Sequence, residues 1–85
     1  MLADGDLAGA RLFFELVHRK GIAAGATGVG KTYDPVFYGT ARVEGTQPNP
    51  ALARDWYQKA AGAGDEEGTG RLAELNAWLE RAALY

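Results

Sequence analysis

The sequence predicts an all-α chain built from two antiparallel helix pairs, and three observations predict it. Apolar residues fall at i, i+3, i+4, i+7 twice, as Ala10, Phe13, Phe14, Val17 and as Ala53, Trp56, Tyr57, Ala60. Each run is followed by a glycine, Gly21 or Gly64, where a left-handed C′ residue would end a helix. The two halves also repeat at a spacing of 43, so that His18 meets Ala61, Gly25 meets Gly68 and Val29 meets Leu72.

Taken in order, the first helix is expected at about 4–20 and the second at about 22–33, with Ile22, Ala26, Val29 and Tyr33 on one stripe. Residues 34–49 follow as a long connection, because Pro35, Gly39, Gly45 and Pro48 interrupt it. Val36, Phe37, Tyr38 and Val43 are its candidates for packing down, as a short strand or helical turn. Asn49-Pro50 is an N-cap followed by proline at N1 and opens the third helix, about 50–63. Asp65 caps the fourth, about 65–84, where Glu66 and Glu67 meet the positive end of the helix dipole and Leu72, Leu75 and Leu79 form the apolar stripe. The 85 residues therefore read as one helical repeat domain: a helix pair over 4–33, a loop over 34–49 and a helix pair over 50–84.

Composition removes several function classes. The chain has no Cys, no Ser and a single His, His18, so disulfides, thiolate metal sites, a Ser–His–Asp triad and a multi-histidine metal centre have no residues to use. No metal and no cofactor is expected. A net charge of −2 and a pI near 5.2 argue against a nucleic-acid partner, whose electrostatic footprint is basic. No apolar run approaches the ~18–20 residues of a membrane span. The acidic start MLADGDLAG also lacks the basic n-region of a signal peptide, so a soluble chain is expected.

The stretch from Ala53 to Leu72, ARDWYQKAAGAGDEEGTGRL, resembles the Sel-one-like repeat, a relative of the tetratricopeptide repeat. Ala53, Trp56, Tyr57, Lys59, Ala60, Ala61, Gly64 and Asp65 match its hallmark, and Gly68 takes a position where alanine is usual. The half from Ala10 to Tyr33 is looser, with Phe13-Phe14 in place of Trp-Tyr and Val29, Gly30 and Tyr33 fitting the second helix. The spacing of 43 departs from the ~34 of a tetratricopeptide unit. The resemblance implies helix pairs stacked into a right-handed superhelix that serves as a scaffold for protein contacts, with no catalytic residues. It also implies a repeat core of Ala10, Phe13, Phe14, Val17, Ala53, Trp56, Tyr57, Ala60 and Leu72.

One motif points elsewhere. Residues 25–32, GATGVGKT, match the phosphate-binding G-x-x-x-x-G-K-[ST] pattern, in which backbone N–H groups cradle phosphates, Lys reaches them and Thr binds Mg²⁺. Its context is wrong for that role: helix-like residues precede it, and Tyr33-Asp34-Pro35 follows where a helix should continue. Helix-borne glycines at crossing points are the structural alternative, each costing up to about 1 kcal/mol relative to alanine.

The expected function is thus non-enzymatic: a protein–protein interaction module, part of a larger scaffold, that binds a protein or peptide. Its binding surface would be the concave side made by the first helix of each pair, with Arg11, Glu15 and Arg19 on one and Arg54 and Gln58 on the other. Trp78 lies off the leucine stripe and is either the candidate anchor on the last helix or a residue packed under the long loop. A nucleotide-binding protein using Gly25–Thr32 is one alternative. The other is a structural cap or homo-oligomer formed through the C-terminal helix, favoured if Leu79, Ala82, Ala83 and Tyr85 are exposed.

Overall fold

Two glycines in left-handed conformation set the architecture. Gly21 (φ +83°) and Gly64 (φ +89°) let the chain reverse between helices where a side chain would be strained. In the computed structural model, which describes residues 7–41 and 48–83, five helices and no strand occur among the described residues. They are α1 (Leu7–Arg19), α2 (Ala23–Lys31), α3 (Pro35–Ala41), α4 (Pro50–Gly62) and α5 (Glu66–Ala83). α1 pairs with α2 and α4 pairs with α5, while α2 lies against α4 and joins the two pairs. The radius of gyration of 12.2 Å matches the ~12 Å expected of a packed chain this long.

Where the connection 34–49 was expected, Pro35–Ala41 is a helix. Asp34 explains it: its Oδ1 accepts a hydrogen bond from the Val36 N–H at 2.8 Å, and Pro35 takes the first helical position. Asn49 does the same for α4, accepting from the Leu52 N–H at 3.2 Å. Val43 and Gly45 lie outside the described residues, as do residues 4–6 of the expected first helix, Leu84 and Tyr85.

The core is centred on Ala53, Tyr57 and Leu75, with Tyr33, Val36, Leu72, Trp78 and Leu79 packed around them. Ala10 and Ala60 are fully covered, whereas Phe14, Val17, Trp56 and Leu72 are half-buried. Phe13 is corrected from core to surface. Its ring is 51% exposed, because α1 turns Ala10 toward α2 and no helix covers its other side among the described residues. Tyr57 is fully buried, and its hydroxyl donates to Asp34 Oδ2 at 2.6 Å. Burial first, and then that hydrogen bond, raises the Tyr57 phenol far above its ordinary value, so it stays protonated.

Candidate functional site

The segment Gly25–Thr32 is helix interior. Gly25 to Gly30 are all buried on α2, and a Cβ on Gly25, Gly28 or Gly30 would collide with the His18 backbone, the Phe14 ring or the Tyr57 ring, respectively. The two side chains that would handle phosphate and Mg²⁺ are used inside the fold. Lys31 Nζ pairs with Glu67 Oε2 at 2.6 Å, and Thr32 is fully buried, donating to the Val29 carbonyl at 2.6 Å. A backbone committed to helical hydrogen bonds has no free N–H cradle in this segment.

The predicted binding residues divide into two groups. Arg11 is corrected from a groove residue to a structural one. Its Nε donates to Thr32 Oγ1 at 2.9 Å, a terminal nitrogen donates to the Thr32 carbonyl at 3.0 Å, and the guanidinium lies 3.8 Å from the Tyr33 ring centre. Tyr38 donates its hydroxyl to the same carbonyl. Arg11 thereby closes the end of α2 against α1. Trp78 is half-buried against the central core, and Leu79 is also half-buried, while Ala82 and Ala83 are exposed. Arg19, Arg54 and Gln58 do face solvent, and Glu15 is partly covered.

What the fold brings together is a seam between α1 and α4, the first helices of the two pairs. His18 meets the Trp56 ring edge to face, 5.1 Å between centres, and the Lys59 ammonium lies 4.3 Å from the centre of the same indole. Beside them opens a cleft of about 150 Å³ lined by His18, Gly21, Ile22, Ala23, Ala26, Lys59 and Ala63. Pockets for nucleotides and drug-sized ligands begin near ~300 Å³, so this cleft suits one aliphatic side chain. Sequence reasoning assigned no binding role to His18 or Lys59. The signal was present: Lys59 follows Trp56 by three positions, which puts both on one helix face.

A second polar cluster ties the pairs together on the other side of α2. Asp65 Oδ2 accepts from the Gly68 N–H at 2.9 Å and from the Thr27 hydroxyl at 2.5 Å. Those bonds, Thr27 first, hold the Asp65 carboxyl below its ordinary value of 3.8. Burial pushes the Glu67 carboxyl up, but Lys31 and Arg71 outweigh it and leave the group below 4.5. Both pKa values are lower folded than unfolded. Their stabilisation is therefore complete above the unfolded values and is lost as pH falls through the lower, folded ones. Urea denaturation from neutral pH down should show stability declining below about pH 4, and Asp65→Asn should flatten that acid limb while lowering stability at neutral pH. An unchanged acid limb would detach Asp65 from the fold's stability.

Among the described residues no group of three or more His, Asp or Glu could hold a metal ion, and no helix is long and apolar enough to cross a membrane. Comparison with protein families, curated proteins and solved structures finds no match to this chain.

Proposed function

We propose that the chain is a non-catalytic protein–protein interaction module, two stacked helical hairpins of the Sel-one-like repeat type within a right-handed superhelical scaffold, that binds a peptide segment of a partner protein. The observation that carries this reading is the α1–α4 seam, where His18 and Lys59, each in contact with the Trp56 ring, line a cleft of one side chain's volume. An aliphatic side chain in the cleft would anchor the peptide. Lys59, Lys20, Arg19 and Arg54, all exposed, favour acidic residues on either side of that anchor. Arg11 takes no part, being engaged with Thr32 and Tyr33.

The test is selection from a displayed random-peptide library on the immobilised chain. Enriched peptides should share an aliphatic anchor flanked by Asp or Glu, bind with micromolar affinity, weaken with salt and quench Trp56 fluorescence. Lys59→Glu should reduce that affinity by roughly ten-fold while costing the fold no more than the ~0.5–1 kcal/mol of an exposed cation–π contact with Trp56. Peptides that shift amides of α5 and leave His18, Ile22 and Lys59 untouched would refute the seam.

A further inference from the structure

Four of the five large apolar side chains exposed among the described residues belong to the first hairpin: Leu12 (65% exposed), Phe13 (51%), Leu16 (48%) and Ile22 (51%). The first three share one face of α1, at i, i+1, i+4. The junction inside the molecule indicates what such a face does. There α2 and α4 run antiparallel, with Ile22 and Ala26 near Ala63 and Lys59 at one end and Gly30 under the Tyr57 ring at the other. The large Tyr57 ring of α4 thus rests on Gly30 of α2.

The 43-residue repeat carries part of this pattern onto two faces left uncovered among the described residues. Phe13 stands where Trp56 stands, and Leu16 where Lys59 stands. On α5, Thr69, Gly70 and Ala73 stand where Ala26, Thr27 and Gly30 stand, and all three are exposed, with open space around the Gly70 Cα. One end of the molecule therefore presents large apolar groups and the other a flat, small-residue surface. Their charges are complementary as well. Arg19 at the end of α1 and Lys20 after it are exposed, while the outer side of α5 carries exposed Glu66 in its first turn and exposed Glu74. An antiparallel lay of α1 on α5 brings the basic turn beside the acidic one.

We infer that a second copy of this chain docks head to tail, the α1 face of Leu12, Phe13 and Leu16 lying on the α5 face of Gly70, Ala73 and Glu74 of the next copy. The two faces differ, so the contact is heterologous and continues into an open row rather than closing as a dimer. This does not rest on the peptide-binding reading, since the Trp56–Lys59 seam lies within one copy.

Sedimentation of the full chain across concentrations up to the order of 1 mM tests it, because a contact of this kind is weak. The expected result is a mean mass that climbs past twice the 9.1 kDa of the chain and falls with added salt. Phe13→Glu and Ala73→Arg alter exposed positions, so each should keep the circular dichroism of the parent, and each alone should be monomeric. Mixed together, they should form a one-to-one complex that grows no further, since each retains the face the other has lost. A chain monomeric throughout this range overturns the inference. So does a dimer that stops at two copies, or a variant mixture that fails to associate.

Discussion

Tyr57→Ala is expected to leave the chain at or beyond the edge of unfolding. Tyr57 is fully buried at the centre of the core, where its ring covers Gly30 and its hydroxyl meets Asp34, itself 1% exposed. Removing a buried aromatic ring costs about 3–5 kcal/mol through lost transfer energy and the cavity left behind. The buried Asp34 oxygen also loses its partner. Stabilities of small domains start at about 5 kcal/mol, so one substitution consumes most of the margin. Tyr57→Phe separates the two effects: it keeps the ring and strands only the Asp34 oxygen, for about 1–3 kcal/mol. Denaturant melts of the three chains should rank parent, Tyr57→Phe, Tyr57→Ala. A Tyr57→Phe variant as stable as the parent would mean the Asp34 contact contributes nothing.

Gly25→Ala is expected to destabilise by about 1–3 kcal/mol, the reverse of what helix propensity predicts. Alanine in place of a helical glycine ordinarily gains up to about 1 kcal/mol. At Gly25 the new Cβ would collide with the His18 amide nitrogen and the Phe14 carbonyl oxygen, which are backbone atoms of α1 and cannot rotate away. α1 and α2 would have to separate. Gly62→Ala is the matched control, because its Cβ would point into open space and the ordinary gain should appear. If both substitutions stabilise, the close approach of α1 to α2 is not what fixes Gly25.

Much of this was legible in the sequence because it depends on local pattern. The i, i+3, i+4, i+7 runs located α1 and α4, and Gly21 and Gly64 marked both turns. The glycines of residues 25–32 were placeable at helix crossings because the surrounding sequence supplied no strand for a phosphate loop. Phe13 was misplaced for a physical reason: a repeat pattern assumes a neighbour on each side, and among the described residues α1 has a helix on one side only. The sequence leaves α3 open between a short strand and a helical turn, because Asp34-Pro35 also reads as the end of the preceding helix. The same cap-then-proline pair, read correctly at Asn49-Pro50, also begins one. The Arg11–Thr32 bonds join residues 21 positions apart, and no periodicity announces such a pair.

Stacked hairpins can in general melt one at a time from an end, because each touches only its neighbours. The position of α2 removes that freedom here. With three glycines in nine residues, α2 is too poor a helix former to persist alone, and it holds its shape only while α1 lies on one side and α4 on the other. Losing either hairpin takes away half of what keeps α2 wound, and an unwound α2 leaves the other hairpin without its cover. The least helical stretch of the chain therefore makes unfolding all-or-none, coupling two locally independent hairpins into one cooperative unit.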